Sequence, residues 1–292
     1  MLADGGIVVG VDADGYADAA LREAIALGVS LDRPVHAVHV VDDGGLFSSP
    51  GFLTRQRIAV EGIKRKLERW ASGELPAGAP APDLTVLFGN PVRVMLERAQ
   101  EIDAAMLVVG GAAHGPNPLL GGTAERVVRG AQCPVMVRRK ASEGGAVLVP
   151  VDLSEESAIA LEVGARMARL RGVPLITLYV HSAPSGAVTG VPGLDAELSA
   201  YRARYTQQYK DTVDRLVGSS APRVLVHEGE PAARITELAL EEGVDLVVMG
   251  AHGRTGLARW SLGSVTESVL RSTELSVLAV RKPDRLFLLG AR

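Results

Sequence analysis

The chain has 292 residues, a length that favours about two domains of ordinary size. Apolar residues make up 47% of it and aromatic residues only 4%, so Val, Leu, Ile and Ala must fill the cores, as is typical of parallel sheets covered by helices. The net charge of −3 gives no global electrostatic support for nucleic-acid binding.

Cysteine content and hydropathy indicate the compartment. The single cysteine, Cys133, excludes an intrachain disulfide and favours a reducing environment; its place before an apolar strand suggests a buried thiol. No apolar stretch reaches the ~18 residues of a membrane span, and the first residues lack the basic start of a signal peptide. We therefore expect a cytoplasmic protein with neither membrane nor nucleic-acid partners.

The opening strand of the chain is repeated later in the sequence. Shifted by 140 residues, the segment IVVGVD at 7–12 falls on VLVPVD at 147–152, and GNP at 89–91 falls on GEP at 229–231. After Gly110 and Gly250 the offset becomes 142, so that repeat 1 is two residues shorter there. The shared offset indicates a duplicated domain. A small polar linker separates the copies, which predicts domains at 1–141 and 146–292.

Each repeat alternates short apolar strands with helical patterns. In repeat 2 the predicted strands are 146–151, 175–181, 223–227, 245–250 and 276–281. Helices are predicted from about Ser154 to Arg171, from Pro231 and from Ser264, on capping and first-turn preferences. This order predicts the α/β class, with two tandem, doubly wound, five-stranded parallel sheets of Rossmann-like type.

A glycine-rich loop follows the fourth strand of repeat 2. Gly250, Gly253, Gly263 and Ser264 form the pattern G-x2-G-x9-G-S between a strand and a helix. Such glycines let backbone amides turn toward phosphate oxygens, and the helix start at Ser264 favours an anion. Arg254 adds positive charge within the loop. The alternative is a glycine-rich connection that merely turns the chain.

The V-x-V-D strand, the G-x-P step and this loop resemble the universal stress proteins in their tandem-domain form. The resemblance covers both repeats and implies ATP binding, with or without Mg²⁺. It implies that Asp152, beside Pro150 and Val151, lies by the adenine or ribose, and that Val180 contacts the adenine through its backbone. It implies that ribose and phosphates are held by Gly250, His252, Gly253, Arg254, Gly263, Ser264 and Val265. The residues alone leave an alternative for each of two side chains. Asp152 has the alternative of capping the helix, and His252 that of being a solvated side chain.

Repeat 1 departs from the loop pattern. Ala113 and Gly122 stand where repeat 2 has its second glycine and its serine, and the prolines at 116 and 118 lack N–H donors. We expect repeat 1 to bind nucleotide weakly or not at all. An alternative register places Thr123 at the serine position, and Asp12 is retained.

The motifs favour binding over catalysis. No Walker A lysine, HExxH, CxxC or GxSxG pattern occurs, so we expect neither a metal site nor an enzyme. The leading hypothesis is an ATP-binding regulatory module of the stress response with unidentified protein partners. The alternatives are a slow ATPase or phosphotransferase that uses Asp152, and an interaction protein with unused nucleotide sites.

Assembly can be predicted from the terminal strands at 134–138 and 276–281. An exposed apolar edge strand favours pairing, and in the resembled family the last strands of two domains pair antiparallel. The resemblance therefore implies repeats related by pseudo-two-fold symmetry and a homodimer of tandem chains formed on another surface.

Overall fold

The computed structural model describes residues 5–12, 17–41, 60–62, 64–65, 68, 73, 80–111, 122–139, 144–182, 194–252 and 262–281. The chain divides into two compact units, the first with the described residues up to 139 and the second with those from 144 to 281. Each unit contains one parallel sheet with helices, so the predicted α/β class is confirmed.

The described part of the first unit contains a five-stranded sheet. Its strands are β1 (Ile7–Val11), β2 (Val35–Val41), β3 (Asp83–Phe88), β4 (Met106–Gly110) and β5 (Val135–Arg138), in the order β3-β2-β1-β4-β5. All of these neighbours pair in parallel. The helices with described bounds are α1 (Asp18–Leu31), α2 (Pro91–Glu101) and α3 (Gly122–Gly130).

The second unit has the same strand order. Its strands are β6 (Ala146–Pro150), β7 (Leu175–His181), β8 (Arg223–Glu228), β9 (Val244–Gly250) and β10 (Ser276–Val280), in the order β10-β9-β6-β7-β8 and parallel throughout. Its helices are α4 (Glu155–Arg171), α5 (Leu194–Val217), α6 (Pro231–Glu241) and α7 (Ser264–Ser272), with a 3₁₀ turn at Gly218–Ser220. The five strands predicted for repeat 2 agree with these to within one residue at each end.

Local signals account for the helix starts of this unit. The Ser154 side chain accepts a hydrogen bond from the N–H of Ser157 at 3.1 Å, which caps α4 as its residue type favours. Pro231 is the first residue of α6, where a missing N–H costs nothing. In this sheet, β7 lies on one side of β6 and β9 lies on the other, so the direction of strand order reverses at β6. Ligands of such folds bind where the strand order reverses, at the carboxyl ends of the strands.

Burial supports the offset of 142 residues between the last helices of the two units. The residues that face the core are Ala124, Val127 and Val128 in α3, and Thr266, Val269 and Leu270 in α7. Gly122 therefore has the place in α3 that Ser264 has in α7. Cys133 is half-buried, which is less burial than the sequence led us to expect.

The two units fill one equivalent pair of core positions with different side chains. In the first unit, Glu23 of α1 and Arg138 of β5 form an ion pair at 3.3 Å, with side chains only 12% and 8% exposed. The repeat places Val163 and Val280 at these positions in the second unit, and both are buried. The same fold thus accepts either a charged pair or an apolar pair here.

This difference between the units predicts the effect of replacing the ion pair by two valines. Glu23→Val alone removes one partner of a buried ion pair and should destabilise the chain by about 3–5 kcal/mol. Adding Arg138→Val recreates the valine pair of the second unit and should restore most of the loss, because apolar replacement of a buried pair is often neutral. Urea unfolding followed by circular dichroism measures both changes.

The control is Glu237→Ala in α6. Its exposed ion pair with Arg234 should contribute less than about 1 kcal/mol. A double variant as unstable as Glu23→Val would contradict the interpretation.

Candidate functional site

A cavity of about 280 Å³ lies at the carboxyl ends of the second unit's central strands. Nine sequence-predicted site residues line it: Pro150, Val151, Asp152, Val180, Gly250, His252, Gly263, Ser264 and Val265. The other two, Gly253 and Arg254, lie outside the described residues. The cavity adjoins the point at which the strand order reverses, where ligands of this fold class bind.

The rest of the wall was not anticipated from the sequence. Leu178 of β7, Ile235 of α6 and Met249 of β9 make it apolar, while Ser157 and Thr266 add hydroxyl groups. A mostly apolar wall with a few polar groups is typical of small-molecule sites. Ile235 had a usable sequence signal, since it lies one helical turn after the predicted helix start at Pro231.

Asp152 holds the turn between β6 and α4. Its Oδ1 accepts hydrogen bonds from the N–H of Ser154 at 3.0 Å and from the Ser154 hydroxyl at 2.5 Å. Between them, Leu153 has a φ of 66°, a left-handed conformation that is costly for a side chain of this kind. The carboxylate therefore has a local structural role beside the cavity, although the N-cap of α4 is Ser154 and not Asp152.

Helix α7 begins at the cavity without a side-chain cap. Its N-cap residue is Gly263, which offers no side chain to the first-turn N–H groups. By contrast, Ser154 and Glu230 cap α4 and α6 through their own side chains. The uncapped donors and the helix dipole together favour an anion at this end of α7.

Three backbone-directed hydrogen bonds fix the segment that follows β9. The buried hydroxyl of Thr266 donates to the carbonyl of Gly250 at 2.7 Å. The N–H of Gly263 donates to the carbonyl of Ala251 at 2.7 Å, and the N–H of Ala251 donates to Val280 at 2.7 Å. These bonds hold Gly250 and Ala251, at the start of the glycine-rich loop, against α7 and β10.

A carboxylate from α4 also holds this segment. Glu156 Oε2 accepts the backbone N–H of His252 at 2.7 Å, and Glu156 Oε1 lies 3.3 Å from His252 Nδ1. The other ring nitrogen, Nε2, is buried and has no hydrogen-bond partner among the described residues, which end at His252 on this side of the loop. Sequence analysis missed Glu156 because 96 residues separate it from His252 and no motif joins them.

The absence of a side chain at Gly250 makes this contact possible. A Cβ built at Gly250 would lie 2.9 Å from the carbonyl oxygen of His252 and 3.1 Å from the Cβ of Glu156. Gly250 was predicted as a ligand contact, and the structure adds a packing reason for its glycine.

Polar contacts anchor α5 to the strand that carries Val180. The Tyr209 hydroxyl donates to Thr177 Oγ1 at 2.6 Å, and His181 Nε2 lies 2.9 Å from Thr206 Oγ1. Burial raises the pKa of Tyr209. Burial also lowers the pKa of His181, with Glu228 acting in the opposite direction.

Neither a metal-binding cluster nor a helix fit to cross a membrane occurs in the described ranges. Within them, no group of three or more His, Cys, Asp or Glu side chains is arranged to hold a metal ion. In the same part of the chain, no helix has the length and apolar character needed to cross a membrane.

Comparison with known proteins finds one family in both halves of the chain. The model of the universal stress protein family matches residues 6–139 and again residues 145–281. Universal stress protein Rv2005c of Mycobacterium tuberculosis is 32% identical, over 95% of this chain and 97% of its own length. Universal stress protein Rv1996 of the same organism is 30% identical, over 96% of each chain.

Two solved structures similar to this chain differ in how much of it they match. A universal stress protein from Archaeoglobus fulgidus matches with a TM-score of 0.68 at 18% identity, over 95% of this chain and 98% of that one. A universal stress protein solved in complex with cAMP matches 48% of this chain and 99% of that one, with a TM-score of 0.36 at 21% identity.

The packing at Gly250 can be tested by adding one methyl group. Gly250→Ala should force Glu156 or the His252 backbone to shift and destabilise the chain by about 1–3 kcal/mol. The control is Gly218→Ala, where the nearest atom to an added Cβ is 4.0 Å away. That change should leave stability equal or slightly higher. Equal urea midpoints for the two variants would refute the packing argument.

Proposed function

This chain belongs to the universal stress protein family, and we propose that its second unit binds an adenine nucleotide, with ATP as the principal ligand. The protein acts as a cytoplasmic regulatory module of the stress response. Nucleotide occupancy changes its assembly or its protein partners. Binding, rather than turnover, is the activity of the site.

One observation carries the proposal: an uncapped helix start opens on a mostly apolar cavity. The first turn of α7 offers N–H donors and a positive dipole end to a phosphate group. The Ser264 hydroxyl adds a donor at the same place. The apolar residues of the wall, Leu178, Val180 and Ile235, suit the faces of an adenine ring.

The first unit lacks the polar groups that this proposal uses. At the matching positions it has Gly122 for Ser264 and Ala124 for Thr266. Position 16 is a tyrosine where the second unit has Glu156, and position 112 is an alanine where it has His252. We therefore assign tight nucleotide binding to the second unit alone.

The carboxylates near the cavity favour binding over hydrolysis. Phosphoryl transfer needs carboxylates to hold Mg²⁺ and a base to orient the nucleophile. Asp152 directs an oxygen to Ser154, and Glu156 directs both oxygens to His252. These contacts give both side chains a structural role at the site, in place of a role in holding Mg²⁺ or activating water.

Ser264 provides the direct test of the site. Ser264→Ala removes one hydroxyl donor to a charged phosphate, which is worth about 1.5–3 kcal/mol, and should weaken ATP binding roughly tenfold or more. Isothermal titration calorimetry of the full chain measures the change, with cAMP as a competing probe of the ligand class.

The matched control is Thr123→Ala in the first unit, the position that an alternative register aligns with Ser264. It should leave the ATP affinity unchanged. Equal weakening by both variants would show that the first unit binds as well, and a wild-type chain that binds no adenine nucleotide would refute the proposal.

The regulatory part of the proposal predicts an effect on assembly. ATP should change the mass of the wild-type chain measured by light scattering, with a homodimer as one of the two states. Ser264→Ala should need correspondingly more ATP for the same change. A mass that is independent of saturating ATP would exclude the assembly switch and leave nucleotide binding itself intact.

A further inference from the structure

The second unit exposes a leucine near the end of each of two helices. Leu170, next to last in α4, is 37% exposed, and Leu240, next to last in α6, is 64% exposed. The repeat places Ser30 and Gln100 at these positions of the first unit, and both are exposed as well. The same exposed helix ends are therefore polar in one unit and apolar in the other.

The two leucines share the amino edge of the second unit's sheet. A helix between parallel strands returns the chain from the carboxyl end of one strand to the amino end of the next, so α4 and α6 both end at this edge. Val224, the second residue of β8, is exposed at the same edge. Arg169 donates to the Ser220 hydroxyl at 3.1 Å, and Arg223 pairs with Glu242. These contacts join the start of β8 to the α4 end and to the α6 end.

The α4 end carries positive charge. Arg169 precedes Leu170 and is exposed, and its partner among the described residues is a neutral hydroxyl group. Burial lowers the pKa of Arg166, and the positive charge of Arg169 lowers it further, so two guanidinium groups lie close together here. The first unit has a valine at the matching position 29 and lacks the charge of Arg169.

The α6 end carries negative charge. Glu241 follows Leu240 and is exposed. In the first unit, the equivalent Glu101 pairs with Arg98 at 3.3 Å, but α6 has a leucine at position 238. No cationic side chain replaces that partner among the residues that the structure describes. The C-terminal carbonyl groups of α6 add to the negative potential, which favours a cation at this helix end.

We propose that a second copy of this chain binds at these residues, which we call the amino-edge surface: Arg169, Leu170, Val224, Leu240 and Glu241. The α4 end of each copy packs on the α6 end of the other. Arg169 of one copy faces Glu241 of the other, and Leu170 faces Leu240. Val224 lies between the two contacts, near the two-fold axis.

Charge and symmetry select a second copy as the partner. A closed dimer uses the same surface on both copies, so that surface must complement itself. An axis midway between the two helix ends brings each arginine to a glutamate and makes the same contact twice. Apolar groups enclosed by charged groups are also the usual arrangement of protein interfaces. With so few apolar side chains, the interface is smaller than that of permanent dimers, so we expect reversible association at micromolar concentrations.

The amino-edge surface and the cavity lie at opposite ends of the same sheet, because the cavity is at the carboxyl ends of the strands. A dimer formed at this surface therefore leaves the cavity open. The inference gives a surface to the homodimer of the proposed function, but it needs no nucleotide and stands even if the cavity binds none.

Replacing each leucine by its counterpart in the first unit tests the surface. Sedimentation equilibrium of the full chain, without nucleotide and with saturating ATP, should show a reversible dimer of the wild type. Leu170→Ser and Leu240→Gln should each raise the dimer dissociation constant about tenfold or more, because the dimer loses two apolar contacts at once.

The matched control is Tyr201→Gln, which also replaces an exposed apolar side chain and should leave the dimer unchanged. Tyr201 is 49% exposed. It precedes Thr206 in α5, and Thr206 contacts His181 at the end of β7, so Tyr201 lies at the opposite edge of the sheet.

A charge exchange between copies tests the two-fold pairing. Arg169→Glu and Glu241→Arg should each weaken the dimer about tenfold or more, since each places like charges together at both contacts. An equimolar mixture of the two variants should dimerise as the wild type does, because one copy then has two glutamates at these positions and the other has two arginines. Both residues are exposed, and circular dichroism verifies that each variant folds.

The outcomes separate this inference from the proposed function. A wild-type chain that stays monomeric at its highest soluble concentration, with and without ATP, overturns the inference. A dimer that the leucine variants leave intact, or that Tyr201→Gln weakens equally, also overturns it, as does a mixture no stronger than either charge variant alone. Nucleotide binding by the cavity is measured separately, by calorimetry of the wild type and Ser264→Ala, and none of these results decides it.

Discussion

The site of the second unit depends on the close approach of the α4 start to the segment after β9. Because β6 and β9 are parallel neighbours, the helix that follows one and the loop that follows the other meet at the same sheet edge. Gly250 permits the approach, since any Cβ there would collide with Glu156 and with the His252 backbone. Glu156 then holds His252 through two contacts, and the cavity wall is positioned as a consequence.

The two units show which parts of the fold depend on particular side chains. Their sheets have the same strand order, although one core holds a glutamate–arginine pair where the other holds two valines. Core positions therefore need only matched volume and paired charge. The cavity edge is less tolerant, because its polar side chains hold particular neighbours in place, as the Thr266 hydroxyl holds the Gly250 carbonyl.

Local sequence preferences were enough to predict the strands and helix starts of the second unit. The cap at Ser154 and the first-turn proline at Pro231 act within a few residues, so their patterns are visible in the sequence. Parallel strands present their carboxyl ends at one edge, which explains why nine predicted residues surround one cavity. Glu156 and Thr266 escaped prediction because their partners are distant in sequence and only tertiary packing brings them together. Whether the nine residues bind a ligand stays a prediction.

The start of α7 connects the stability of the second unit to the anionic ligand proposed for it. An N-cap residue without a side chain gives up a hydrogen bond to the first turn of its helix, which costs free energy in the unliganded chain. A capping side chain at position 263 would recover part of that energy and at the same time fill the place of an anion. A ligand that accepts hydrogen bonds from the first-turn N–H groups stabilises the state to which it binds. The start of α7 is therefore less stable without an anion than with one, which is the property that the proposed nucleotide-controlled module requires.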